Sequence, residues 1–132
     1  MRQAAAKQGD RILATDTHIV LVPGPSGSVP TPLPHPFTGI IDGNLSNNVN
    51  ITKKPAATVG STASNRPAHV VSAPGQSFQN PPTNKGTITQ GSQTVRINGQ
   101  AAARNGDVAE TCNDPTPLPV GKVTAVGTVY IG

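Results

Sequence analysis

Aromatic residues make up 2% of the 132-residue sequence: two Phe, one Tyr and no Trp. So few rings exclude a large oily core, and they leave almost nothing on which nucleic-acid bases could stack. A single Cys excludes an internal disulfide. No apolar run approaches the roughly 18 residues of a membrane-spanning helix. The opening MRQAAAKQGDRIL holds no apolar stretch of signal-peptide length. The expectation is therefore a chain made and assembled in the cytoplasm, which some machine moves if it leaves the cell. Charged residues are scarce too, at 12%. That is too few for a disordered chain, which needs high net charge to stay open. The net charge is +4, but the cations are scattered and Lys53-Lys54 is their sole adjacent pair. This reads as a solvated surface rather than a nucleic-acid site.

What is abundant is Gly and Pro, fourteen of each, the residues of turns and tight corners. The length suits one domain. With 34% hydrophobic residues, a compact fold needs a staple, and without a disulfide that staple is a metal or a partner. The chain also repeats itself. Gln3 to Asp10 reads QAAAKQGD, Lys54 to Ser61 reads KPAATVGS, and Gln100 to Asp107 reads QAAARNGD. The first and third phrases agree at six of eight positions. Self-similarity at this spacing marks repeated supersecondary units. Gly-Asp interrupts the Ala run after one turn, so the phrases read as extended or turn structure rather than helix.

Each phrase is followed by a metal-ligand type. His18 lies eight residues after Asp10, His69 eight after Ser61, and Cys112 five after Asp107. His35 completes the inventory of His and Cys. Three imidazoles and one thiolate satisfy tetrahedral Zn²⁺ with nothing left over. His35 sits between Pro34 and Pro36 in PGPSGSVPTPLPHPFTG, residues 23–39. Such a stretch is normally a linker; here it reads as a stiff arm that aims one imidazole.

Short runs of alternating apolar and polar residues read as strands. Residues 39–51, 86–97 and 121–131 each open on Gly and close on Val-x-Ile. They are expected to be hairpins, with turns at Gly43-Asn44, Gln90-Gly91 and Gly127. Val49, Ile51, Val95, Ile97, Val129 and Ile131 are the equivalent, buried pairs. Thr31-Pro32-Leu33-Pro34 rhymes with Thr116-Pro117-Leu118-Pro119. The whole chain then divides into three units, approximately 1–51, 52–97 and 98–132, in a single domain. Strands too small to bury a face alone pack about a common axis, giving a mainly β body with pseudo-three-fold symmetry.

The three Ala-rich phrases, each followed by a ligand, resemble the Pro-Ala-Ala-Arg phrase of the PAAR-repeat family over essentially the whole chain. Members of that family sharpen the central spike of contractile injection systems: type VI secretion, extracellular phage-tail-like systems and some phage tails. The resemblance implies a small three-sided cone of three β-hairpin repeats. It implies one structural Zn²⁺ near the point, with the ligand roles falling on His18, His35, His69 and Cys112. It also implies a wide base capping a trimeric spike protein, one tip per trimer, with effector cargo as a further passenger. Such a tip has no membrane span, although the target envelope is pierced, and no nucleic-acid partner. It is not an enzyme. A Zn hydrolase drawing on Asp10, Asp16, Asp107, Glu110 or Asp114 is the weaker alternative, because four protein ligands leave no position for water. A freestanding Zn-stabilised binding module is the other.

Overall fold

The computed structural model describes residues 2–132, which form a mainly β, three-sided cone without helix. In chain order the strands are β1 (Gln3–Ala4), β2 (Arg11–Gly24), β3 (Gly27–Gly43) and β4 (Asn50–Ile51). Then come β5 (Lys54–Pro55), β6 (Thr62–Asn65), β7 (Ser77–Phe78), β8 (Lys85–Ile88) and β9 (Arg96–Ile97). The chain ends with β10 (Gln100–Ala101), β11 (Val108–Thr111), β12 (Leu118–Thr124) and β13 (Tyr130–Ile131).

The three phrases meet on the axis and define it. The Ala6 amide donates to the Ala103 carbonyl, Ala103 to Ala57, and Ala57 back to Ala6, at 2.9, 3.0 and 3.0 Å. A second cycle runs Gln8 to Pro55, Val59 to Ala101 and Asn105 to Ala4, at 2.9, 2.9 and 2.8 Å. Only small side chains allow three backbones to approach this closely. All of Ala5, Ala6, Ala56, Ala57, Ala102 and Ala103 are buried. Each phrase then turns back on itself. The closing Asp10, Ser61 or Asp107 side chain accepts the amide of Lys7, Thr58 or Arg104. The Gly before it has φ of 91°, 95° or 89° at Gly9, Gly60 and Gly106, a left-handed conformation that favours glycine.

Beyond the phrases, β2, β6 and β11 alternate with β3, β8 and β12 in a closed antiparallel ring ordered β2-β3-β6-β8-β11-β12 and back to β2. Ring closure removes sheet edges. Inside it Ile12, Ala63 and Ala109 meet Ile41, Ile88 and Val123 around the Phe37 ring. On the other side of the Ala layer, a smaller cluster joins Ala5, Ala56 and Ala102 to Ile51, Ile97 and Ile131. The two clusters are successive layers along the axis.

The hairpins differ from the sequence expectation. β3 does not pair with β4, nor β8 with β9, nor β12 with β13. The short ladders are two hairpins, β4 with β5 and β9 with β10, and the equivalent pairing of the two chain ends, β13 with β1. Their turns include Thr52-Lys53, with φ of 47° and 74°, and Asn98-Gly99, with φ of 53° and 81°. The segments read as hairpins instead carry the chain from ring to base. Of the Val-x-Ile pairs, Ile51, Ile97 and Ile131 are buried as expected. Val49 and Val95 are half-buried, and Val129 is 39% exposed. What is equivalent at the valines is the backbone: the Val49, Val95 and Val129 carbonyls accept the Ala56, Ala102 and Ala5 amides. The valine side chains lie at the rim of the layer that the isoleucines fill.

The Pro-rich stretch, expected to be a stiff arm, is a paired strand. β2 and β3 stay paired from Arg11↔Ile40 out to Gly24↔Gly27, well past the ring. Pro30, Pro32, Pro34 and Pro36 occupy alternate positions of β3. The carbonyls of Pro34 and Thr38 face away from β2, toward Ser72 and Arg66. Every proline therefore places its missing N–H on the open edge, where no ladder bond is lost and no further strand can add.

Candidate metal centre

The sequence-predicted ligands gather at the end of the ring opposite the short hairpins. Asp16 and His18 are two residues apart on β2 and so share its inner face. His35 lies on β3, directly opposite Asp16. His69 arrives on the loop after β6, its amide held by Asn84 Oδ1 at 2.8 Å. Cys112 follows β11, on a loop pinned to β2. Asn113 Oδ1 accepts the Thr17 amide at 2.7 Å, and Asp114 Oδ2 accepts the Ile19 amide at 2.8 Å. All three units contribute to one buried cluster.

Ligand atoms of Asp16, His18, His69 and Cys112 lie within 4.8 Å of one another, an arrangement able to hold a metal. Three of the four residues expected from the sequence are thus brought together with a carboxylate. His35 stands beside them, its ring centroid 5.5 Å from that of His18 and 5.6 Å from that of His69. Its Nδ1 bonds the Leu33 carbonyl at 3.0 Å, and its Nε2 accepts the Ser72 amide at 3.1 Å. Asp16 was one of several carboxylates in the sequence. Its distinguishing signal was the two-residue offset from His18.

The donor chemistry fits a metal. Both ring nitrogens of His18 are buried without a hydrogen-bond partner, which is costly for a polar group. A cation on one of them removes half of that deficit. Burial, ahead of the surrounding charges, lowers the His18 pKa below 6.5, so the ring stays neutral and keeps a lone pair to offer. Burial, then Asp16, pushes the Cys112 thiol from 9.0 up to about 11. A metal binding there must displace a proton, and that displacement sets a pH dependence. Apparent metal affinity rises about tenfold per pH unit between about pH 7 and 9. Calorimetry in buffers of different ionisation enthalpy reads the proton released. In the metal-free protein, the His18 contribution to stability is present above pH 6.5 and is lost as pH falls below it. The Cys112 contribution is present below 9.0 and is lost as pH rises toward about 11.

Asp16 is fully buried and has partners of its own. It accepts the Thr111 hydroxyl, His69 Nε2 at 2.8 Å, the Cys112 thiol at 3.4 Å and Asn113 Nδ2 at 3.4 Å. A carboxylate that takes a histidine N–H fixes the tautomer and leaves the other nitrogen to ligate. Asp16→Asn is accordingly expected to weaken metal binding by about 10–100-fold while leaving the visible spectrum of the Co²⁺-substituted protein in place. A changed spectrum would make Asp16 a ligand.

The fold is a three-fold β body built from one chain, with a buried cluster at one end that could hold a metal. The family model described as the PAAR motif matches residues 30–107, more than half of the chain. The chain belongs to the PAAR-motif family and is a spike-tip module of that type. No curated protein matches it.

Proposed function

We propose that this chain forms the tip of the central spike in a contractile injection system. Residues 1–132 act as one domain of three repeats. The short-hairpin end caps a trimeric spike protein, one tip per trimer, and the cluster end leads. One structural Zn²⁺ ties the leading end through His18, His35, His69 and Cys112, with Asp16 behind His69. One point favours His35 as the fourth ligand: its Nδ1–carbonyl bond is the usual support of a ligating imidazole, and its Nε2 would exchange the Ser72 amide for the ion.

The observation that carries the reading is the cycle of backbone bonds through Ala6, Ala57 and Ala103. It lets one chain match a three-fold partner three times at once, although its side chains differ from unit to unit. The role is structural rather than enzymatic. Proline-braced strands and a closed metal site resist deformation, which a piercing point needs. The tip is made and assembled in the producing cell and leaves it on the particle, with any effector cargo.

Electron microscopy of particles from cells with and without this chain tests the reading. Density of one small asymmetric cap on the spike should vanish with the chain and return with its re-expression. Unchanged spike tips in its absence would defeat the proposal.

A further inference from the structure

The hairpin end is electrostatically one-sided. Residues 2–4, 49–55, 95–101 and 128–132, which build it, contain Arg2, Lys53, Lys54 and Arg96 and no Asp or Glu. All four cations are exposed. The acids lie elsewhere. Asp10 and Asp107 are bonded to Lys7 and Arg104 at the phrase turns, Asp16 and Asp114 belong to the metal end, and Asp42 and Glu110 sit on the ring strands.

Two of the cations occupy equivalent positions of the repeat. Arg2 and Lys53 each immediately precede the first residue of a phrase, Gln3 and Lys54. The equivalent residue of the third phrase is Gly99, which has no side chain. There Arg96 takes over, its Nη1 reaching the Gly99 carbonyl at 3.4 Å. Each of the three short strand pairs therefore presents at least one exposed cation, although Arg96 stands on the opposite strand of its pair from the position of Arg2 and Lys53.

We propose that this face docks onto a trimer carrying one carboxylate per protomer around its axis, each facing one of Arg2, Lys53 and Arg96. The proposal rests on the capping function above and adds the chemistry of the partner. A true three-fold surface presents any acid three times, so each short strand pair of this face, with its exposed cation, would meet one. Charge pairs of this kind at the rim steer association and fix register more than they add affinity. Tyr130, 56% exposed and paired with Ala4 of β1, and Val129 give the same face an apolar contact in the third unit. A nucleic-acid partner is disfavoured because Tyr130 stands there without a second ring to stack bases.

The test measures association of the full metal-bound chain with the purified trimeric spike protein from the same particle. The comparison is between the unmodified chain and R2E/K53E/R96E. All three positions are exposed, and metal content and melting temperature check that each variant folds. A charge-retaining R2K/K53R/R96K variant runs alongside. Association is expected to slow on the order of tenfold or more on reversal, and to slow likewise for the unmodified chain at high salt. The charge-retaining variant should match the unmodified chain. Binding that is indifferent to both reversal and salt would overturn the acidic-partner inference and leave capping intact. No binding by the unmodified chain at any salt would overturn both. Capture by mixed phosphatidylcholine–phosphatidylserine vesicles, lost on reversal while spike binding persists, would assign the cations to lipid and also overturn it.

Discussion

Stripping the metal from the folded protein, or replacing Cys112 by Ser, should lower its melting temperature by tens of degrees. Structural Zn²⁺ sites contribute on the order of 10 kcal/mol, which rivals the whole stability of a small domain. Little here replaces that contribution. The inner cluster is mostly Ala and Ile around Phe37, and the outer one is three Ala and three Ile. Without an ion, His18 keeps two buried nitrogens with no partner, and the two loops that carry His69 and Cys112 have no group tying them to β2 and β3. Differential scanning calorimetry before and after chelation measures the effect, and re-addition of Zn²⁺ should restore the melt. Equal melting temperatures would mean that the cluster holds nothing that matters to stability.

Phe37→Ala should cost about 3–5 kcal/mol even with metal bound, the range for a buried aromatic lost from a tight core. The ring is 1% exposed. It lies against two glycines: a Cβ on Gly39 would meet its Cε1 at 2.6 Å, and one on Gly86 would meet its Cζ at 3.2 Å. Its centroid is 6.1 Å from that of His69, so it also backs the metal end. Backbone this close to a side chain cannot collapse into the space left behind, which places the site at the costly end of large-to-small changes. Urea denaturation of metal-saturated protein reads the loss, and Phe37→Leu should recover part of it. A change under about 1 kcal/mol would show that the ring is not the centre of the core.

Much of this was legible from local chemistry. The phrases predicted turns because Gly-Asp breaks an Ala run, and each turn is closed by the Asp or Ser that ends the phrase. The His and Cys inventory pointed to one cluster, and His18, His69 and Cys112 share it. Pairing was less legible. Alternation identifies a strand face but not the strand beside it, so residues 39–51 looked like a hairpin when Gly39 pairs with Asn65 instead. Asn98-Gly99 carried a stronger hairpin signal than Gln90-Gly91. Its equivalent, Thr52-Lys53, has no turn signature at all and adopts the same left-handed backbone because the surrounding repeat imposes it. The prolines of β3 showed a stiff arm but not that it is a paired strand, since their spacing matters only once the open edge is known. Asp16 showed only its two-residue offset from His18, because its bonds to Thr111, Cys112 and His69 join residues far apart in sequence.

The account turns on one chain, tied by one ion, matching three copies of a partner. Native mass spectrometry of the tip–spike complex measures all three quantities together. The predicted mass is that of three spike protomers, one tip of 13.4 kDa and one Zn²⁺. Three tips per trimer, or a tip that stays folded and bound without metal, would contradict it.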